Sequence, residues 1–122
     1  MRKILIVEDE EILRESYQMI LSSEPYEVDV ANNGKVALDM VQNKDYDLIL
    51  LDLMMPVMDG VTFLEHFTAG NSPTSKVIIL SNLSTGEELT RALELGAHRN
   101  TLKASLSPKQ LIALVRYEVE AS

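Results

Sequence analysis

Leu48-Ile49-Leu50-Leu51-Asp52-Leu53-Met54-Met55-Pro56-Val57-Met58-Asp59-Gly60 runs from a short, unbroken apolar stretch into an acidic residue, then into a proline and a glycine that end any strand. Apolar residues with no polar alternation are what a strand looks like when helices cover both its faces, as in a parallel sheet. The same pattern recurs on either side. Ile4 to Val7 (ILIV) ends in Glu8 and Asp9, and Val77 to Leu80 (VIIL) ends in Ser81. In parallel α/β sheets, ligands bind at the C-terminal strand ends, so these polar residues are expected at one rim. Carboxylates beside a dry sheet interior are costly unless a cation holds them, and a small divalent ion meets that need.

Working outward, strands are expected near Lys3 to Val7, Tyr26 to Val30, Asp47 to Leu51, Lys76 to Leu80 and Arg99 to Leu102. Between them lie segments of helical period. The first, about Glu10 to Ser22, presents Leu13, Tyr17, Ile20 and Leu21 on one face; the second, about Gly34 to Asn43, presents Val36, Ala37, Met40 and Val41. A third starts near Gly60, buries Phe63, Leu64 and Phe67, and stops at Gly70-Asn71-Ser72-Pro73. A fourth runs from about Gly86 to Leu95 with Leu89, Ala92 and Leu93 inward. In the last, Ser107 is the N-cap, Pro108 takes the first helical position, and Leu111, Leu114, Val115 and Val119 face the core. Alternation of strand and helix predicts an α/β fold with right-handed crossovers: a doubly wound, five-stranded parallel sheet, (βα)5 and flavodoxin-like, for which we suppose the strand order 2-1-3-4-5 that makes the first and third strands neighbours.

At 122 residues the chain is expected to be a single domain, 1–122. No apolar run approaches the roughly 20 residues that span a bilayer, and no signal sequence is visible, so a cytoplasmic, membrane-free protein is expected. The absence of cysteine excludes disulfides, thiolate metal sites and cysteine nucleophiles. A net charge of −8 argues against direct binding of nucleic acid.

In the order 2-1-3-4-5 the loops after the first and third strands face each other across a crevice. Asp9 and Asp52 are then candidate Mg²⁺ ligands, with the backbone carbonyl of Met54 as a neutral third and Glu8 nearby or bound through water. A cation so held lowers the repulsion between carboxylate and phosphate, which makes Asp52 a candidate nucleophile towards phosphorus. Ser81 offers a hydroxyl to one phosphoryl oxygen, and Lys103, after the fifth strand, offers an ammonium to another.

With these residues in order, the chain resembles the receiver domain of bacterial two-component response regulators over essentially its whole length. The match rests on Glu8-Asp9, on Asp52 within LLDLMMPVMDG, on Ser81 after VIIL, and on Lys103 after Gly96-Ala97. The resemblance implies a phosphoacceptor switch. Asp52 would accept a phosphoryl group from a sensor histidine kinase or a histidine phosphotransfer protein. Asp9, Asp52 and the Met54 carbonyl would bind Mg²⁺, and Ser81 and Lys103 would bind the phosphoryl group. Pro56 and Gly60 would shape the loop. Such a domain catalyses only its own phosphorylation and dephosphorylation. By the same resemblance it would signal to a downstream protein or a fused effector domain through the fourth helix, fifth strand and fifth helix, the surface that a dimer would also use.

The chain departs from the family pattern in three places. Ala104 follows Lys103 where proline after a cis bond is usual, so the loop carrying Lys103 is expected to sit differently. Asn100 stands where the family has an aromatic that swings inward on activation. Asn82 replaces a small residue after Ser81 and is expected to crowd the phosphate site or hydrogen-bond within it. These departures keep open the alternative of a pseudo-receiver, an interaction module that works without phosphorylation, but it ranks well below the phosphoacceptor because all five chemical groups are present.

Blander roles compete for several residues. Met54, Met55 and Met58 read as core filling, because no cysteine or histidine accompanies them for a soft-metal site. His66 and His98 lack spaced partner ligands. Tyr17, Tyr26, Tyr46 and Tyr117 read as half-buried core or rim residues. A metal-dependent phosphatase would want a second aspartate where Met54 stands. A flavodoxin-like cofactor binder would want Gly, Ser and Thr where Glu8 to Glu11 stand.

Overall fold

The computed structural model describes residues 1–69, 74–82, 86–103 and 106–120. Strand and helix alternate throughout: β1 (Arg2–Val7), α1 (Glu11–Ser22), β2 (Tyr26–Ala31), α2 (Gly34–Asn43), β3 (Leu48–Leu51), α3 (Gly60–Thr68), β4 (Lys76–Ser81), α4 (Glu87–Glu94), β5 (Arg99–Leu102) and α5 (Pro108–Glu120). The five strands form one parallel sheet in the order β2-β1-β3-β4-β5, as expected. Expected bounds agree to within a residue or so at each end. The stop at 70–73 and the residue after Lys103, Ala104, lie outside the described residues.

Alternate side chains of the central strands serve opposite faces. Leu5, Val7, Ile49, Leu51, Val77 and Ile79 pack against Ala37 of α2, Phe63 and Leu64 of α3, and Leu89 and Ala92 of α4. Ile4, Ile6, Leu48, Leu50, Ile78 and Leu80 pack against Tyr17 and Leu21 of α1 and Leu111, Val115 and Val119 of α5. Each large side chain fully buried this way contributes about 1.5–3 kcal/mol. Because both faces are covered, the strands read as continuous apolar runs.

Caps fix where three of the helices begin. Asn33 accepts from the Val36 N–H (2.9 Å) and Asp59 from the Thr62 N–H (2.8 Å). Ser107 and Gln110 form a reciprocal pair, each side chain accepting from the other's backbone N–H at 3.2 and 2.8 Å.

The edge strand β2 departs from the expected apolar pattern. Glu27 and Asp29 are in register with Lys3 and Leu5, so they point to the α2 side. Lys44 bridges them at 2.7 and 2.8 Å, and the Tyr46 hydroxyl donates to Asp29 (2.6 Å). Burial works to raise the Asp29 carboxyl, but hydrogen bonds from Lys44 and Tyr46 outweigh it and leave it lowered. Inward-pointing charge on an edge strand blocks pairing with another chain's strand.

Four side chains sit otherwise than expected. Val36 borders the cavity beside Asp29 and is exposed, because the edge strand offers it polar groups instead of a core. Leu93 faces out, about 100° round the helix from buried Ala92. Tyr117 is exposed and carries Arg99 over its ring. Met54 does not fill the core either: it is 58% exposed, while Met55 and Met58 pack against it.

Candidate functional site

The strand ladder carries the acidic residues to the rim. Pairing of β1 with β3 runs from Ile4↔Leu48 to Val7↔Leu51, and it continues one step further as the Asp52 N–H donates to the Val7 carbonyl (3.0 Å). On the other side of β1 the Glu8 N–H donates to the Ala31 carbonyl (3.0 Å). Glu8 and Asp52 are thus fixed side by side by main-chain bonds, whatever their side chains do. Ser81 closes β4 and is buried.

Beyond Asp52 the chain turns back tightly. The Gly60 N–H donates to the Leu53 carbonyl, and a β-carbon at Gly60 would lie 2.6 Å from the Asp52 carbonyl oxygen. Only glycine permits that approach. The Met58 carbonyl accepts from the Gly34 N–H (3.0 Å), and there too a β-carbon would come within 2.5 Å of that oxygen. Between these anchors, Met58 N–H donates to the Pro56 carbonyl and closes a γ-turn on Val57, whose φ is +70°.

Asp9, Asp52, Met54, Ser81, Asn82 and Lys103 line one cavity of about 330 Å³, with Glu10 and Leu13. Glu8 lies beneath it, 2% exposed. Carboxylate oxygens of Glu8, Asp9 and Asp52 all lie within 4.8 Å of one another. That donor set, all oxygen and next to a main-chain turn, suits a hard divalent cation. Lys103 Nζ stands between two of the acids, 2.5 Å from Glu8 Oε1 and 3.2 Å from Asp52 Oδ2. The other Glu8 oxygen accepts from the Glu10 N–H (3.0 Å), so Glu8 is a buried, bonded group and not a solvated neighbour. Met54 joins the site by its main chain, its N–H donating to Asp52 Oδ1 (3.3 Å).

Burial pushes the Asp52 carboxyl up to about 6; the Lys103 charge opposes this and the Glu8 charge adds to it. Burial would lower the Lys103 ammonium, but its bonds to Glu8 and Asp52 outweigh that and leave it raised.

Residues 4–116 match the family model of the response regulator receiver domain. The chain belongs to the response regulator receiver family. Over 116 residues the receiver is 35% identical to the response regulator ArlR of Staphylococcus epidermidis, covering 95% of this chain and 52% of that protein. It is 38% identical over 104 residues to a protein-glutamate methylesterase/protein-glutamine glutaminase of Desulfotalea psychrophila, covering 83% of this chain and 29% of that protein. The chain therefore spans about half the length of ArlR and less of the methylesterase. Its fold superposes on a CheY-like receiver domain protein of Methanospirillum hungatei JF-1 with a TM-score of 0.90 at 27% identity, covering 99% of this chain and 95% of that one. Response regulators work with histidine kinases and effectors in two-component systems. Among the described residues no helix is long and apolar enough to cross a membrane.

Five of the six candidate residues from the sequence thus line one cavity, and the sixth, Glu8, is buried against Lys103. The receiver's other expected features fare variously. Asn82 is exposed on the cavity wall, and Asn100 is half-buried on β5. His66 Nδ1 lies 2.9 Å from the Thr62 carbonyl, and His98 Nδ1 accepts from the Val77 N–H (3.2 Å), so both imidazoles are engaged by main chain. Two neighbours of the site carry no signal in the sequence that marks them as such. Tyr17, buried on α1, lies close enough to feel the charges of Lys103, Glu8 and Asp52, and its phenol is raised mainly by burial. Arg14 reaches back to the main chain of Glu8 and Asp9.

Proposed function

We propose that this receiver is a phosphoacceptor switch in which Asp52 takes a phosphoryl group from the phosphohistidine of a sensor histidine kinase or histidine phosphotransfer protein. The observation that carries this reading is the placement of Lys103 Nζ 3.2 Å from Asp52 Oδ2, with the carboxylate oxygens of Glu8, Asp9 and Asp52 within 4.8 Å of one another. Asp9, Asp52 and the Met54 carbonyl would hold Mg²⁺, with Glu8 beside them; when bound, the ion supplies the positive charge that lets a carboxylate approach a phosphate.

The chain's own residues do the rest. An Asp52 oxygen forms the new bond to phosphorus as the phosphorus–nitrogen bond to the donor imidazole breaks, giving an aspartyl phosphate. Lys103 is already shared between two carboxylates, so its ammonium can pass from Asp52 to a phosphoryl oxygen without leaving the site. The Ser81 hydroxyl donates to a second oxygen. In this reading the domain catalyses only its own phosphorylation and dephosphorylation, and the changed surface on α4, β5 and α5 meets a downstream protein, a fused effector domain or a second copy.

The alternative, a pseudo-receiver that signals without phosphate, is favoured by one observation: β5 carries Asn100 where the switching aromatic is expected. Intact-protein mass after incubation with acetyl phosphate, with and without Mg²⁺, separates the two. A Mg²⁺-dependent gain of one phosphoryl group that is absent in Asp52→Asn supports the switch. No gain, or an equal gain in Asp52→Asn, overturns it.

A further inference from the structure

One cation beside the pocket takes no part in the chemistry above. Arg14, in α1, sends Nη1 back to the carbonyl oxygens of Glu8 (3.1 Å) and Asp9 (3.3 Å). Both contacts are to main-chain oxygen, although acidic side chains lie within the same turn. That choice has an electrostatic consequence. The three carboxylates of Glu8, Asp9 and Asp52 repel one another, and Lys103 is committed to two of them, Glu8 and Asp52. An arginine bonded to the Asp9 carboxylate would relieve the repulsion but occupy the oxygens that a metal needs. Bonded to the carbonyls, it brings its charge close to the cluster and leaves those oxygens open. Its Nη1 also ties two successive carbonyls, which constrains the direction in which the Asp9 side chain leaves the main chain.

We infer that Arg14 is a positioning residue of the cation site. It fixes the turn after β1 so that Asp9 faces Asp52, and it offsets part of the repulsion that otherwise drives the two carboxylates apart. The inference rests on the Mg²⁺ reading given above. A purely architectural role, in which Arg14 only satisfies two carbonyls at the end of β1, predicts a loss of stability and nothing else.

The two roles separate in a Mg²⁺ titration of the metal-free protein, followed by the amide chemical shifts of Asp9, Asp52 and Met54. Thermal melts in EDTA run beside it. The variants are Arg14→Gln, Arg14→Lys, Asp9→Asn, and Arg116→Gln as a remote control whose guanidinium pairs with Glu24 (2.8 Å). Arg14→Gln is expected to weaken Mg²⁺ binding roughly tenfold, the lower end of what outer partners of metal ligands contribute. Arg14→Lys, which keeps the charge but not the guanidinium's reach and fixed donor geometry, falls between, and Arg116→Gln matches the wild type. If Arg14→Gln melts earlier in EDTA but binds Mg²⁺ with unchanged affinity, the positioning role is wrong and the architectural one stands. If the wild type shows no Mg²⁺-dependent shifts, or Asp9→Asn keeps them, the metal reading itself fails, and this inference with it.

Discussion

Lys103 Nζ lies closer to Glu8 Oε1, at 2.5 Å, than to Asp52 Oδ2, at 3.2 Å, so the ammonium is tethered to the residue beneath the site and leans on its proposed nucleophile. The tether keeps the cation beside Asp52 and holds a second negative charge there. Glu8→Gln removes that charge. Because the Glu8 field raises the Asp52 carboxyl, the substitution is expected to bring it down from about 6 towards its ordinary value. A ¹³C carboxyl titration of the metal-free protein reads this directly; an unchanged or raised midpoint would contradict the arrangement.

The raised Asp52 carboxyl also sets a pH dependence of stability. The folded state holds its proton up to about 6, whereas the unfolded chain releases it near 3.8. Folding therefore takes up a proton between those values. The metal-free protein loses stability as pH rises through that window, by up to about 3 kcal/mol, since each tenfold difference in proton affinity between the two states is worth about 1.36 kcal/mol. Asp52→Asn is expected to be more stable than the wild type in EDTA at neutral pH and to flatten this slope. Denaturant midpoints at several pH values check it.

Val57 is a β-branched residue at φ +70°, closed into a γ-turn by the Met58 N–H to Pro56 carbonyl bond, and it is 82% exposed. It bears a left-handed backbone without the compensation of burial, a combination that costs on the order of 1–3 kcal/mol. Val57→Gly is expected to stabilise the fold by roughly 1 kcal/mol, since glycine adopts this φ freely but gives back some unfolded-state entropy. A lower denaturation midpoint for Val57→Gly would show that the side chain is held by something more than the turn.

Glu118 on α5 is 3% exposed and sits among Arg99 (3.0 Å) and Lys76 (3.8 Å), both of them partly solvated. The asymmetry predicts unequal costs. In Glu118→Ala the two cations can rehydrate, so the loss is expected at about 1–2 kcal/mol. Replacing both Lys76 and Arg99 by Ala leaves the buried carboxylate without counter-charge and is expected to cost about 3–5 kcal/mol. Chemical denaturation of the two variants orders them, and the reverse order would mean that Glu118 is stabilised by other groups.

Some of these features are legible in the residue order, and some are not. Asp9, Asp52 and Ser81 can be found because each follows a recognisable apolar run, and strand ends in a parallel sheet share one rim; Lys103 follows the mostly polar Arg99 to Leu102 and is found from the order of strands and the family resemblance. Arg14 cannot, because its partners are main-chain oxygens that leave no residue-type signature. Glu118 is legible only in part: at i+7 from Leu111 and i+4 from Leu114 it falls on the apolar face of its helix, but only the structure shows that Arg99 and Lys76, at the starts of β5 and β4, meet it there. Val36 and Leu93 fall on the wrong side of the pattern because helical period identifies a face but not its width, which depends on what the neighbouring strand offers.

By itself the sequence determined the α/β class, the succession of strands and helices, and the groups at the strand ends; the strand order supposed from it is given by the structure. Hydrophobic period and the handedness of crossovers act locally and leave few alternatives. Only the tertiary structure decided how those groups share their charges: Lys103 tethered to Glu8, Asp52 pushed up by burial, Arg14 turned to carbonyls, and the Val57 turn held by Gly34 and Gly60. These depend on distances of a few ångströms between residues far apart in the chain, where desolvation and Coulomb forces compete and residue order carries no record of the outcome.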